Sequence, residues 1–294
     1  SGSTKSILKF INHSCLYVET PDIKFLTDPW LIGPAFNNGW WLSKKSPVDS
    51  LDLINNVDFI YISHNHPDHL HLETLSKIKK NKLIFTPKFE SGSTDRYLKD
   101  LGFDNIKTLN FGYSYSDAQN NFALQALKSG DFRDDSGLYF STGEFDIVFA
   151  VDSNNLNFGD LPDHPTIYAS TFAGGASGFP LCFDNYNDDE KKTIINQNLI
   201  SLKKTKLDII RKIEPSFFLP YAGFFKELPS RDSYIFKNNK KLKISDYLKL
   251  IPEKVKLLDV DKYQIFNFNG NTLADQSIDK KDKIIDLDPG NYVD

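Results

Sequence analysis

Ile60-Tyr61-Ile62-Ser63-His64-Asn65-His66-Pro67-Asp68-His69-Leu70-His71 puts four of the chain's six histidines into eight positions, directly after a run of buried-type residues. A short strand followed by a turn gives several side chains a common, rigid origin, so imidazoles and a carboxylate on that turn can converge on metal. His64 and His66 are expected to share one ion, with Asp68 and His69 directed at a second. A polar loop that gathers histidines by chance is the competing reading, and the density of the cluster weighs against it.

Outward from this stretch the chain is rich in strands. Runs of β-branched and aromatic residues at Ile7–Ile11, Cys15–Val18, Ile23–Leu26, Phe59–Ile62 and Leu83–Phe85 predict strands in the first half. Phe122–Leu127, Leu138–Ser141, Phe145–Val151, Thr166–Ser170 and Phe217–Leu219 predict more. Helical spacing appears at Leu70–Lys79 and Asp95–Leu101. It is clearest after Asp188, where Ile195, Leu199, Leu202, Ile209 and Ile213 mark one long amphipathic helix. Asp188 or Asp189 is expected to cap that helix, and Pro215 to stop it.

Interleaved strands and helices with no linker predict a single α/β layered domain over residues 1–294, with 237–294 as a C-terminal extension. The opening Ser1-Gly2-Ser3 reads as a remnant of tag removal. The run Lys240, Lys241, Lys243 and the acidic end at Asp286, Asp288 and Asp294 read as solvated faces.

Composition removes several classes of function. With 40% hydrophobic and 25% charged residues the chain is neither disordered nor fibrous. A net charge of −4 argues against nucleic-acid binding, and no apolar stretch approaches the ~20 residues of a membrane span. The only cysteines, Cys15 and Cys182, form no CxxC pair, which points to a reducing, cytoplasmic setting.

HxHxDH after a hydrophobic strand resembles the signature of the metallo-β-lactamase superfamily, which implies an α/β fold of the αββα sandwich type. The resemblance assigns a supporting role to Asp28 in Leu26-Thr27-Asp28-Pro29 and makes Asp152, after Ile147–Val151, the ligand that bridges two metals. The chain departs from that pattern twice. No histidine lies between the cluster and Asp152, where the turn reads Ser129-Gly130-Asp131-Phe132-Arg133-Asp134-Asp135, so a carboxylate is expected in its place. Asp131 is chosen by position, with Asp134 and Asp135 as alternatives. The late histidine is also missing, because Phe217–Pro220 continues Tyr221-Ala222-Gly223, and His164 sits in a loop between prolines. Such a set shifts toward hard oxygen donors with open positions, which favours iron or manganese over zinc.

Three further segments narrow the resemblance: Thr27–Phe36 running on to Gly39-Trp40-Trp41, Phe172-Ala173-Gly174-Gly175-Ala176-Ser177-Gly178-Phe179-Pro180, and Pro220–Phe225. From about Asp28 to Tyr234 the chain is similar to the catalytic domain of the CMP-N-acetylneuraminate hydroxylases. A diiron β-hydroxylase of the chloramphenicol pathway is similar in having a carboxylate where hydrolases keep the third histidine. In the residues themselves, Gly174, Gly175 and Gly178 permit close backbone approach to a ligand, and Trp30, Trp40 and Trp41 offer flat faces. Arg133, Lys226 and Arg231 are candidates for substrate phosphate or carboxylate, with Ser177, Tyr221 and His71 as further pocket candidates.

The leading reading is a non-haem iron oxygenase with two iron ions held by His64, His66, Asp131, Asp68, His69 and Asp152, dioxygen as co-substrate and a sugar-nucleotide-like anion as substrate. Zinc and manganese are the alternative metals. The resembling enzymes carry a Rieske cluster, whose Cys and His pairs are missing here, so a ferredoxin or Rieske-type donor is expected in trans. A metal-dependent hydrolase of a phosphodiester, ester or lactone, and a binding protein without turnover, are the rivals.

Overall fold

In this computed structural model residues 4–130, 133–153, 156, 161–285 and 292 are described. The first half runs β1 (Lys5–Asn12), β2 (Cys15–Glu19), β3 (Lys24–Thr27), β4 (Trp40–Leu42), α1 (Ser50–Asn56), β5 (Phe59–Tyr61), α2 (Leu72–Leu75), β6 (Ile84–Pro87), α3 (Asp95–Asp100) and β7 (Ile106–Leu109). The second half runs β8 (Ser114–Asp117), β9 (Phe122–Lys128), β10 (Ser136–Ser141), β11 (Asp146–Val151), β12 (Ile167–Thr171), α4 (Asp188–Ile213), β13 (Phe217–Tyr221), β14 (Phe225–Glu227), α5 (Ser233–Asn238) and α6 (Ser245–Leu248). It closes with β15 (Lys256–Leu257), β16 (Ile265–Asn269) and β17 (Thr272–Ser277).

The strands form two large sheets, ordered β17-β16-β1-β2-β3-β5-β6-β7 and β15-β13-β12-β11-β10-β9-β8, with β14 and β4 as a separate pair. Side chains alternate across each strand, so the sequence decides which face each residue serves. Phe25, Phe59 and Tyr61 enter the large core shared with Phe140 and Phe149 of the opposite sheet. Their neighbours Leu26, Ile60 and Ile62 face outward onto Ile54, Leu75 and Leu98 from α1, α2 and α3. On the far side α4 lays Ile195, Leu199, Ile209, Ile210 and Ile213 against the second sheet. Helix, sheet, sheet, helix is the expected αββα sandwich.

The local elements differ from expectation where tertiary contacts intervene. The helix expected over Leu70–Lys79 is confined to Leu72–Leu75. The cap of α4 is Asn187, one residue earlier than the expected aspartates. Its side chain takes the Glu190 N–H while Glu190 reaches back to the Asn187 N–H, closing a capping box. The segment after residue 237 is woven into the sheets: β15 pairs with β13, β16 with β1, and β17 with β16. Lys241, read as part of a solvated run, lies 3.2 Å from Glu227 and 4.0 Å above the Phe225 ring.

Parallel pairing places the site. β3, β5 and β6 run parallel in one sheet, and β11, β12 and β13 in the other. Their carboxyl ends carry Asp28, His64, Asp152, Phe172 and Ala222 toward one edge of the sandwich, where α/β folds place ligands.

Candidate metal centre

Left-handed backbone recurs around this edge, at Asp28 (φ 37°), Val151 (φ 54°) and Ala222 (φ 58°) at these strand ends and at His13 (φ 47°) in the β1–β2 turn. Val151 is β-branched and buried, so that conformation carries strain, and it coincides with a slip in the β11–β12 register directly before Asp152.

Asp28 organises the histidines. Its carboxylate accepts the Ser63 N–H at 2.7 Å, the Ser63 hydroxyl at 2.6 Å and the His69 Nδ1–H at 3.0 Å. Because the Ser63 proton goes to Asp28, Ser63 Oγ is left to accept from His64 Nδ1 at 2.8 Å. Both imidazoles therefore present Nε2 lone pairs inward, one oriented directly by Asp28 and the other through Ser63.

Inside, His64 Nε2 lies 3.1 Å from His66 Nδ1 and 3.7 Å from Asp152 Oδ2. Asp152 Oδ2 is 2.7 Å from His69 Nε2, which is itself 3.1 Å from Asp68 Oδ2. Among the described residues two donor groups emerge, His64/His66/Asp152 and His13/Asp68/His69, each with its ligand atoms within 4.8 Å of one another. Asp152 reaches both His64 and His69, the position a bridging ligand needs.

These residues fit a metal. His69 Nε2 is buried and makes no properly directed hydrogen bond, although two carboxylate oxygens lie within 3.1 Å. Atoms that crowd a point without hydrogen-bond geometry are disposed to share a cation. For His64 and His66 electrostatics agree, since burial holds both below the ordinary imidazole range and keeps their lone pairs available. His69 is held above it: burial acts to lower it, but Asp152, Asp68 and Asp28 together prevail.

The third-histidine position resolves in part. Asp131 lies outside the described residues. Asp134 faces the surface, accepting from Ser91 and, at 2.9 Å, from Ser93. Asp135 is buried beside the cluster, with Oδ1 at 3.4 Å from His64 Nδ1. Burial, reinforced by Asp152, pushes its carboxyl up to about 7.

A pocket of about 400 Å³ opens onto His66, Asp68 and Asp152 and is lined also by Trp40, Arg133, Gly174 and Ser177. Gly175 shares a neighbouring cavity with Ser177 and Arg231. Trp40 stacks on Phe225 at 3.7 Å, which fixes the pocket wall. The other candidates sit elsewhere. His71 caps α2, with Nδ1 accepting the Thr74 N–H and Nε2 donating to the Pro34 carbonyl at 2.8 Å. Tyr221 is buried under the site, and Lys226 lines a separate cavity with Trp41 and Lys44. Trp30 is fully buried, and His164 is exposed beside Glu214.

Sequence reading missed His13 and Lys206. His13 is a lone histidine in the β1–β2 turn with no motif around it, and its Nε2 lies 2.9 Å from Asp68 Oδ2. Lys206 lies among the charged positions of α4, yet it is fully buried.

An αββα sandwich with a His/Asp cluster at the carboxyl ends of its parallel strands defines a class of metal-binding scaffold. Residues 7–166 match the beta-lactamase superfamily domain, and the chain belongs to the metallo-β-lactamase superfamily. It is 32% identical over 243 residues to the cytidine monophosphate-N-acetylneuraminic acid hydroxylase of Danio rerio, covering 80% of this chain and 41% of that one. To its counterpart in Xenopus laevis it is 30% identical, covering 97% of this chain and 49% of the relative. The chain thus spans less than half the length of these relatives. Similar solved structures include CmlA, a diiron beta-hydroxylase from Streptomyces venezuelae, with TM-score 0.58, 17% identity, and 90% of this chain and 54% of that one covered. Igni18, a metallo hydrolase from Ignicoccus hospitalis, has TM-score 0.58 and 15% identity over 90% of this chain and 98% of that one. Among the described residues no helix is long and apolar enough to cross a membrane.

Proposed function

We propose that this chain is a non-haem diiron oxygenase that hydroxylates an anionic small molecule of the sugar-nucleotide class. The observation that carries the reading is the donor set: Asp68 and Asp152 stand with His64, His66 and His69, the buried Asp135 carboxylate lies beside them, and no histidine follows β13 in this sequence. Oxygen-rich sets of this kind suit iron or manganese better than hydrolytic zinc. The likeness to cytidine monophosphate-N-acetylneuraminic acid hydroxylases supports the substrate class.

His64, His66 and an acidic residue, Asp135 or Asp131, would hold one ion, Asp68 and His69 the other, with Asp152 between them. Bound iron would supply the redox chemistry that activates dioxygen. The chain's own part is orientation and exclusion of water. Phe36, Trp40, Leu202 and Phe225 give the pocket apolar walls, while Arg133 and Ser177 on its lining would meet an anionic substrate. Hydroxylation with dioxygen consumes two electrons, which a ferredoxin or Rieske-type protein would deliver in trans. Two free thiols, Cys15 and Cys182, suit a reducing cytoplasm.

The test is single turnover of the Fe(II)-loaded protein with a chemical reductant, ¹⁸O₂ and CMP-N-acetylneuraminate, read by mass spectrometry. One ¹⁸O atom in the product is expected. Lack of oxygen reactivity in the iron form, together with reductant-free cleavage of phosphodiesters or lactones by the zinc form, would overturn the proposal in favour of a hydrolase.

A further inference from the structure

His13 belongs to the first half of the chain, but its contacts lie in the second. Its carbonyl accepts the Ala222 N–H at 3.0 Å, and its Nδ1 accepts the Phe224 N–H at 3.2 Å. The ring is buried, edge-on to Trp30 at 5.1 Å and to Phe225 at 6.2 Å. An imidazole thus arrives at the turn Tyr221-Ala222-Gly223, where no histidine is encoded. Distance alone would make it a ligand, because His13, Asp68 and His69 are grouped closely enough to share an ion.

The hydrogen bonds decide otherwise. A backbone N–H can only donate, so the Phe224 amide requires a lone pair on His13 Nδ1. A neutral imidazole then carries its one proton on Nε2, and that proton points at Asp68 Oδ2, 2.9 Å away. A protonated nitrogen has no electron pair for a cation. His13 is also clamped by its own carbonyl, by Trp30 and by Phe225, so the ring has no obvious way to turn over and exchange its two nitrogens.

We infer that His13 is a positioning residue for Asp68, held in the Nε2–H tautomer by the Phe224 amide and thereby kept out of the metal's coordination sphere. This rests on the proposed reading of the cluster as a metal centre but not on which reaction it performs. The consequence is chemical: among the described residues a second ion would take protein donors from Asp68, His69 and Asp152, and positions that the protein does not fill would be left to small molecules.

The decisive measurement uses diamagnetic zinc, independent of oxygen chemistry. Long-range ¹H–¹⁵N correlation on zinc-loaded, ¹⁵N-histidine protein should show His13 with a protonated Nε2 and an unprotonated Nδ1. A His13 ring protonated on Nδ1, with Nε2 shifted by zinc, would overturn the inference. In parallel, His13→Gln keeps an N–H donor at similar reach and should retain two zinc ions per chain. His13→Phe should retain two sites with the second weakened about 10- to 100-fold, the range seen when an outer hydrogen-bond partner is lost. Loss of a full zinc equivalent in His13→Gln would mark His13 as a ligand and overturn the inference. If either variant does not fold, the wild-type spectrum still decides. Absence of zinc binding in the wild type would instead sink the metal-centre reading itself, and this inference with it.

Discussion

Lys206 Nζ donates to Ser170 Oγ at 2.6 Å from a fully buried position on α4. Ser170 pairs with Val151, the residue before Asp152, and Leu202, one turn before Lys206, lines the pocket. Burial pushes the ammonium down to about 7, while Asp152 and Asp135 pull it the other way. In the unfolded chain a lysine titrates near about 10.4. Folding therefore carries a cost that is complete below about pH 7 and is relieved as pH rises toward 10, because the unfolded state binds more protons across that window. In the metal-free protein, Lys206→Met should gain stability over wild type at about pH 7, and the gain should shrink toward pH 10. Urea unfolding across this range reads the difference, and a gap that does not change with pH would contradict the assignment.

Asp28→Asn should fold, since the amide oxygen can still accept from the Ser63 N–H. Its NH₂ group would face the His69 proton, removing the bond that fixes the Nε2 lone pair. Metal affinity is expected to fall about 10- to 100-fold, as for other outer-shell carboxylates. Competition with a chelator measures it, and unchanged affinity would show that Asp28 does not set the tautomer.

Gly223→Ala probes how closely the segments that follow β12 and β13 approach. A Cβ there would lie 2.7 Å from Ala173 Cβ and 2.9 Å from the Phe172 ring. Backbone-anchored neighbours cannot yield cheaply, so a loss of about 1–3 kcal/mol is expected. Thermal melting of the metal-free protein checks this, and an unshifted melt would mean that the turn relaxes freely.

Asn187→Ala removes the side-chain half of the capping box on α4, the bond accepted from the Glu190 N–H, and leaves the backbone N–H of residue 187 for Glu190. A loss of about 1 kcal/mol in urea unfolding is expected. The aspartates at 188 and 189 should not compensate, because they lie inside the first turn, where they favour the helix dipole without capping it.

Local pattern determined much of this protein. Alternation placed Phe25 and Phe59 on one face and Leu26 and Ile60 on the other, because a strand's side-chain period is a property of the backbone. The strand-then-histidine stretch located the candidate centre, and the superfamily resemblance picked out Asp28 and Asp152, each at the end of a hydrophobic run. What sequence left open was set through space. β16 and β17 pair with the sheet edge although β17 is polar and largely exposed, so no apolar pattern announced it. Which acidic residue of the 129–135 turn comes to lie beside His64 was also decided by burial, and of those described Asp135 does, with Oδ1 3.4 Å from His64 Nδ1. His13 and Lys206 carry no local signal at all. Their roles come from Phe224, 211 residues away, and from Ser170 on another element, and only folding brings those partners within hydrogen-bond range.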